Sequence, residues 1–168
     1  MKTSYEERGM KFAKVLAKIF EDCETLLDFK DAIGRYNLTH KRKLRFAHGV
    51  SRIVIIRSDY VIKFDMVPSG WFTDGRAGNC ETEKEFYDFA VKEGMEYLLA
   101  KPSLGKFFGH TFSVMPFVKG VDDEKKEWCN TVNNYECEWL MENLYDLHRG
   151  NVGYRKGKVC IIDYAWSV

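Results

Sequence analysis

Apolar residues at helical spacing run through the first part of the chain. They recur from Phe12 to Leu27, and Ser4 stands three residues before Glu7, the arrangement of a helix cap. The pattern predicts an amphipathic helix that reaches about Gly34 and is interrupted at most once. Its apolar face must be covered, and we expect it to pack on the rest of the domain in preference to self-association.

The pattern changes to strands after the basic run His40–Lys43. Segments rich in β-branched and aromatic residues, joined by short turns, predict an antiparallel meander over 43–47, 51–57 and 60–64. The remaining predicted elements are, in chain order, a helix over 81–95, strands over 106–108 and 111–117, a helix that ends near Asn143 and a strand over 159–162. Elements in this order predict an α+β fold.

Composition narrows the class of protein. The 168 residues are 45% hydrophobic, 15% aromatic and 30% charged, which excludes a disordered tail or a collagen-like fibre and fits one soluble globular domain. The 26 Lys and Arg against 25 Asp and Glu leave a net charge of +1, so no overall field attracts nucleic acid or an anionic membrane. The basic run is therefore interpreted as a charged strand edge and not as a nucleic-acid patch.

Cysteine spacing and hydropathy bear on the compartment. Five cysteines without a closely spaced pair indicate free thiols and no structural zinc site. No stretch approaches the ~20 apolar residues of a membrane span, and the amino terminus lacks the apolar core of a signal peptide. We therefore expect a cytoplasmic protein.

Candidate chemistry is concentrated near the carboxyl end of the chain. The segment Asp146-Leu147-His148-Arg149-Gly150-Asn151 leads through a short hairpin at 155–158 into an apolar strand that ends at Asp163. Phosphoryl transfer requires a carboxylate beside the acceptor hydroxyl and oxygen ligands for magnesium on the triphosphate. Asp146, Asn151 and Asp163 are the candidates for these roles, and their spacing matches the kinase catalytic loop and the metal-binding aspartate that follows it.

This loop resembles that of the protein-kinase-like superfamily, and more closely that of the aminoglycoside and choline kinases; the short kinase-like proteins of bacteriophages look most similar of all. The resemblance covers roughly residues 43–168. It implies ATP and Mg²⁺ as cofactors, Asp146 as the catalytic group beside the acceptor, and Asn151 and Asp163 as metal ligands. His148 lies inside this loop and is expected to brace it by hydrogen bonds and not to act as a base, since Asp146 already fills that role. If the chain is phage-encoded, the expected compartment is the host cytoplasm.

The resemblance further implies a lysine on the third strand that holds the α and β phosphates, and a helix glutamate that holds this lysine. Lys63 stands at the expected place, and its alternative is an ordinary solvent-facing strand lysine. Glu83 shares a helix face with Phe86 and is the preferred partner, with Glu81 and Glu85 as alternatives.

Further nucleotide contacts are implied after the first strand and at the end of the fifth. Gly49 and Ser51 would cover the phosphates, but they supply one glycine where kinases have three, and a plain hairpin turn explains them equally well. Met115 would border the adenine pocket, with the Pro116 carbonyl and the Val118 amide on the adenine edge. A strand that simply ends at proline is the alternative.

The chain also departs from the kinase pattern. Leu144 replaces the architectural histidine of the catalytic loop, and Ala165 replaces the glycine after the metal-binding aspartate. Only five residues follow Asp163, so we expect neither an activation segment nor the helices on which protein kinases dock peptide substrates.

The sequence thus predicts a minimal kinase-like α+β fold. Its parts are an extra amino-terminal helix (1–34), a lobe with a five-stranded antiparallel sheet and one helix (35–118), and a strongly reduced carboxyl-terminal lobe (119–168). The predicted function is ATP and Mg²⁺ binding with transfer of the γ-phosphate to a hydroxyl of a protein or of the chain itself. The alternative is a pseudokinase that binds and modulates a host protein without catalysis. Expected partners are a nucleotide and a protein, without membrane or nucleic acid; the acceptor and the oligomeric state stay open.

Overall fold

The computed structural model describes residues 3–49, 51–66, 79–120, 127–144, 147 and 149–164. The chain divides into two compact units. The first comprises Met1–Glu81 and Pro102–Phe117, and the second comprises Thr82–Lys101 and Val118–Val168. None of the described helices is long and apolar enough to cross a membrane.

The predicted amino-terminal helix is two helices. The four α-helices of the described residues are α1 (Tyr5–Ile19), α2 (Leu26–Thr39), α3 (Cys80–Glu93) and α4 (Asn134–Asn143). The Ser4 side chain accepts a hydrogen bond from the Glu7 N–H, which confirms the predicted cap, and a capping box between Thr25 and Asp28 starts α2 after the break. Helix α2 continues beyond Gly34 to Thr39, because one glycine lowers helix propensity without ending a helix whose apolar side is packed.

The first unit contains the predicted five-stranded antiparallel sheet, in the order β1-β2-β3-β5-β4. Its strands are β1 (Arg45–His48), β2 (Arg52–Ile56), β3 (Tyr60–Asp65), β4 (Ser103–Phe107) and β5 (His110–Pro116). The predicted turn at Ser58–Asp59 is confirmed, since the Arg57 N–H donates to the Tyr60 carbonyl at 2.9 Å. Strand β4 starts three residues before the predicted 106, because Ser103 and Gly105 have weak β-propensity and pair only through their backbone with β5.

One face of this sheet packs on α1 and α2. Its buried side chains form a single apolar cluster with those of the two helices, including Leu16, Phe20 and Phe29 from the helices and Phe64 and Phe112 from the strands. Each such side chain contributes about 1.5–3 kcal/mol when it is fully buried. The amino-terminal helix therefore packs on the rest of its unit, as predicted.

The second unit is built around a smaller antiparallel sheet of β6 (Lys119–Gly120), β7 (Val152–Arg155) and β8 (Lys158–Ile161). Lys156 and Gly157 connect β7 and β8 with φ angles of 53° and 77°, the two left-handed residues of a tight hairpin turn. Within this unit Phe86 packs on Trp139 and on Tyr164, with ring centroids 5.8 Å apart in each pair. Helix α4 ends at Asn143, as predicted.

Candidate functional site

The face of the five-stranded sheet opposite the apolar cluster carries polar residues. Along β3 the side chains alternate between the faces, so Lys63 and Asp65 lie on the face opposite Ile62 and Phe64. Lys63 is paired with Ser113 on β5, and Met115 follows two residues later on the same face. The structure therefore brings the predicted phosphate-binding lysine and the predicted adenine-bordering methionine onto one face of the sheet.

Burial separates Lys63 from an ordinary strand lysine. Its exposed fraction is 5%, so the solvent-facing alternative is wrong. Among the described residues the buried polar or charged side chains are Arg52, Lys63, Glu83, Ser113 and Asn151. Three of these are predicted site residues, and burying such groups costs several kcal/mol unless the protein compensates for the lost hydration.

Burial also distinguishes the three helix glutamates. Glu83 is fully buried, Glu85 is exposed, and Glu81 forms an ion pair with Lys106 at 2.5 Å. A glutamate at full burial is rare in folded proteins, because the charged form loses its hydration. Of the three, Glu83 is therefore the one whose position calls for a specific role.

Asp65 fixes the start of α3, a role that the sequence patterns did not reveal. Its carboxylate accepts a hydrogen bond from the N–H of Cys80, the first residue of α3, at 3.0 Å. The Cys80 thiol donates in turn to the Lys63 carbonyl at 3.5 Å. The start of the helix that carries Glu83 is thus fixed to β3 two residues beyond Lys63. Helix caps are recognised in a sequence from residues within one turn of the helix start. Asp65 lies fifteen residues before Cys80, so the local sequence around α3 does not indicate this cap.

Asn151 and Asp163 lie at the same end of the β7–β8 hairpin. The Ile162 N–H donates to the Asn151 carbonyl at 2.9 Å, which extends the β7–β8 ladder by one pair beyond Val152 and Ile161. Asn151 is 8% exposed and Asp163 is half-buried. Both residues therefore lie near the open end of the hairpin, away from its turn.

Two contacts hold the chain on either side of Asp163. The Tyr164 hydroxyl donates to the Ala100 carbonyl at 2.5 Å, and the Ala100 N–H donates to the Ile161 carbonyl at 2.8 Å. Tyr164 is 1% exposed and its ring packs on Phe86. The chain around Asp163 is thus held by a backbone hydrogen bond at Ile161 and by the side chain of Tyr164. Long-range pairing of this kind is invisible in the local pattern around Asp163.

Several predicted loop residues lie outside the described part of the chain, namely Asp146, His148 and Ala165. Their roles stay predictions from the sequence. Leu144, which stands in the place of the kinase loop histidine, is 5% exposed and caps the carboxyl end of α4 through its backbone N–H. An apolar side chain at this position is thus part of the packed interior of the second unit.

The end of β5 directs one backbone carbonyl away from β3. The Phe117 N–H donates to the Asp59 carbonyl at 3.0 Å, so the adjacent pair Tyr60 and Pro116 is a non-hydrogen-bonded pair of the antiparallel ladder. The Pro116 carbonyl is therefore directed away from β3, on the side where β5 last pairs with β4 at Val114. Val118 belongs to the second unit, where it is 6% exposed.

Gly49 and Ser51 lie in the turn between β1 and β2. The Gly49 N–H donates to the Arg52 carbonyl at 3.0 Å, and the Ser51 carbonyl accepts from the Met66 N–H at 2.9 Å. A Cβ on Gly49 would meet nothing within 4 Å, and its φ lies outside the left-handed range. Neither packing nor backbone conformation therefore requires glycine at this position.

Oxygen ligands for a metal ion and a thiol nucleophile are the two chemistries that the hairpin could supply. Among the described residues, no group of three or more His, Cys, Asp or Glu is arranged to hold a metal ion. The carboxylate of Asp163 and the carboxamide of Asn151 fit Mg²⁺, which takes one or two protein oxygens and completes its shell with phosphates and water.

Burial raises the pKa of the Cys160 thiol to about 11, so this β8 cysteine stays protonated and unreactive near neutral pH.

No family model matches this chain, and no curated protein matches it. Among solved structures it is similar to WbdD, described as a bifunctional kinase-methyltransferase, with 17% identity, a TM-score of 0.41, and coverage of 70% of this chain and 30% of that chain. A co-crystal structure of WbdD with the kinase inhibitor LY294002 is similar at 15% identity and a TM-score of 0.39, covering 76% of this chain and 33% of that one. The chain thus spans about a third of the length of these structures.

Neither similarity identifies a family. The α+β architecture, with its five-stranded antiparallel sheet and four α-helices in the described residues, is compatible with a small kinase-like fold. The resemblance to phage-encoded proteins stays a prediction from the sequence.

Proposed function

We infer that the protein binds a nucleoside triphosphate with Mg²⁺ and transfers its γ-phosphate to a hydroxyl acceptor on a protein or on itself. The observation that carries this proposal is the burial of Lys63, Glu83 and Asn151, at 5%, 0% and 8% exposure. Each was selected from the sequence for a role in phosphate or metal binding. Stability alone does not account for placing an ammonium, a carboxylate and a carboxamide in the interior.

The proposed roles follow from the chemistry of each group. Lys63 neutralises the α and β phosphates, Glu83 holds Lys63, and Asp146 accepts the proton of the acceptor hydroxyl. The hydroxyl oxygen bonds to the γ-phosphorus, the bond from this phosphorus to the β–γ bridging oxygen breaks, and the nucleoside diphosphate leaves. Such a transfer depends mostly on positioning and charge, so a small protein could perform it.

Asn151 and Asp163 are the proposed Mg²⁺ ligands. The ion would supply positive charge to the triphosphate oxygens. The part that the chain supplies is a pair of oxygen donors at one hairpin end, with the backbone on both sides of Asp163 held by Ile161 and Tyr164. The fixed backbone limits the reorganisation needed when the ligands converge.

The end of β5 is proposed to bind the edge of the adenine base. Met115 would contact the adenine ring, and the Pro116 carbonyl, which points away from β3, would accept a hydrogen bond from the exocyclic amine. The Val118 N–H would donate to a ring nitrogen. At the other end of the nucleotide, Gly49 and Ser51 would approach the phosphates through the β1–β2 turn.

Binding is tested by thermal denaturation with ATP and Mg²⁺, in which ligand at ~100 times its dissociation constant adds about 2.7 kcal/mol to stability. The variant Lys63→Met removes the charge at similar length and should weaken ATP binding by about 10- to 100-fold, as for the loss of a charged hydrogen bond. The matched control is Lys106→Met, an exposed lysine on β4 that pairs with Glu81. Equal ATP affinity in wild type and Lys63→Met would refute the nucleotide site.

Transfer is tested with γ-labelled ATP, with and without added protein acceptors, in wild type, Asp146→Asn and Asp163→Asn. Loss of transfer in both variants, with their folding intact by circular dichroism, supports catalysis. Binding of ATP without transfer in the wild type would reject the phosphotransferase and favour the pseudokinase, for which the single glycine of the β1–β2 turn is the supporting observation.

Gly49→Ala gives a separate test of the phosphate cover. Because its Cβ would meet no atom within 4 Å, the substitution should leave stability unchanged. If the Gly49 backbone approaches a phosphate, ATP affinity falls by several-fold, whereas a plain turn would leave it equal to wild type.

A further inference from the structure

The second unit has a small groove between α3 and α4 that the proposed nucleotide site does not use. Its volume is about 290 Å³, just below the roughly 300–1,000 Å³ of small-molecule pockets. Such a volume suits one inserted side chain better than a large ligand. Its lining residues include the aromatic Phe89, Tyr135 and Trp139 and the acidic Glu93, Glu138 and Glu142.

Aromatic surface is exposed at this groove. The rings of Phe89 and Trp139 are stacked, with centroids 6.1 Å apart and planes at 15°, and Trp139 itself is buried. Phe89 is 38% exposed and Tyr135 is 62% exposed. Exposed aromatic side chains around a concavity are typical of a contact site for another molecule.

The charge at the groove is uniformly negative. Glu138 and Glu142 are exposed one turn apart on α4, a like-charge spacing that destabilises a helix, and Glu93 lines the same groove from α3. Helix α4 contains no lysine or arginine that could offset them. A cation in the groove would relieve this repulsion.

The neighbouring charged groups on these elements are already engaged. On α3, Lys84 pairs with Asp88 at 2.5 Å. On α4, Glu136 closes the capping box with Asn133 and accepts from the Tyr97 hydroxyl at 2.6 Å. The other basic residue of α3, Lys92 in its last turn, is not one of the residues that line the groove. The groove therefore keeps a net negative charge.

We propose that this groove is a docking site for an arginine side chain presented by a partner protein. A guanidinium group is planar, stacks on aromatic rings and bonds carboxylates through two N–H groups at once, which matches both the aromatic and the acidic lining. Lysine offers a compact, strongly hydrated charge without the flat face, so it fits the aromatic part less well. This docking is separate from nucleotide binding and does not require it.

The experiment is an NMR titration of the full chain with three blocked peptides, Gly-Arg-Gly-Arg-Gly and its versions with lysine or citrulline in place of arginine. The reporter is the Trp139 indole N–H, assigned by Trp139→Phe. The arginine peptide should shift this resonance in a saturable way. The lysine peptide should bind several-fold more weakly, and the neutral citrulline peptide at least about 10-fold more weakly.

A double and a single variant of the groove, with a double variant elsewhere as control, locate the interaction. Glu138→Gln with Glu142→Gln should weaken arginine-peptide binding by about 10-fold or more, and Phe89→Leu by several-fold. The charge-matched control is Glu21→Gln with Asp31→Asn, two exposed carboxylates of the first unit, which should change affinity by less than about two-fold. ATP binding should be unchanged in the groove variants.

Three outcomes would overturn the proposal. Equal weakening by the control pair would mean that the peptide responds only to net charge. Equal binding of the citrulline peptide would mean that the groove does not select a cation. A Trp139 shift that depends on protein concentration without peptide would assign the groove to a second copy, whose basic run His40–Lys43 is exposed.

Discussion

One face of the five-stranded sheet buries Ile62, Phe64 and Phe112 against α1 and α2, whereas the opposite face buries Lys63 and Ser113. Residues 62, 63 and 64 are consecutive on one strand, so the two faces share backbone, length and pairing partners. They differ in the side chains that they bury, which are apolar on one face and polar or charged on the other.

The apolar face stabilises the fold, whereas the polar face costs stability and calls for a functional explanation. The apolar face gains about 1.5–3 kcal/mol from each fully buried large side chain, while a buried polar group costs free energy unless its interactions replace water. Selection for stability alone would place apolar residues on both faces of a sheet that is buried on both. The polar face is therefore where function is to be sought, and substitutions on the two faces should behave differently.

The largest effect is expected on the apolar face. Phe64→Ala removes a fully buried ring in contact with Phe20 and Phe112 and should lower the free energy of unfolding by about 3–5 kcal/mol. Urea denaturation followed by circular dichroism measures this loss. Phe46→Ala, at a β1 position that is 37% exposed, is the control and should cost less than about 1 kcal/mol. Similar losses for the two variants would contradict the assignment of the core to this face.

A buried thiol in the smaller sheet makes the free energy of unfolding depend on pH. Burial raises the pKa of the Cys160 thiol from 9.0 to about 11, because β8 places this side chain among apolar residues. The open end of the same hairpin holds the polar residues Asn151 and Asp163. Between these pH values the unfolded thiol has lost its proton and the folded thiol keeps it. The free energy of unfolding should thus fall as pH rises from about 9 to about 11, by up to about 3 kcal/mol.

Urea denaturation at pH 8, 9 and 10 measures this slope. Cys160→Val keeps an apolar side chain and removes the titrating group, so its slope should be flatter than that of wild type. Groups common to both proteins, including Tyr97 with its pKa raised to about 12, cancel in the difference. Parallel slopes would show that the thiol is not shielded from water.

Two helix glycines test how closely α1 approaches the apolar face. A Cβ on Gly9 would lie 2.3 Å from Val114 Cγ1, whereas a Cβ on Gly34 in α2 would meet nothing within 4 Å. Gly9→Ala should therefore destabilise by about 1–3 kcal/mol through overpacking. Gly34→Ala should stabilise by about 0.5–1 kcal/mol through helix propensity. Thermal denaturation of both variants gives the signs, and a stabilising Gly9→Ala would contradict the close packing of α1 on β5.

The sequence predicted those features that local patterns encode. Period-two alternation located β3 and β5, and the loop spacing selected Asn151 and Asp163, which the structure holds at one hairpin end. It did not reveal the Asp65 cap of α3 or the Tyr164 bond to Ala100, because each joins residues far apart in the chain. Helix α2 and strand β4 differed at their ends, where one glycine had too much weight and tertiary packing decided the boundary.

The smallest effect is expected on the polar face, at Ser113. Its hydroxyl is fully buried and has no hydrogen-bond partner among the described residues. Ser113→Ala removes an uncompensated polar group and should leave stability unchanged or raise it by up to about 1 kcal/mol. Ser103→Ala on β4 is the matched control: this hydroxyl donates to Glu6 at 2.5 Å, and its loss should cost about 1–2 kcal/mol. Urea denaturation compares the two variants. A loss for Ser113→Ala as large as that for Ser103→Ala would mean that the hydroxyl opposite Lys63 contributes to folding, and the contrast between the two faces would have to be withdrawn at that position.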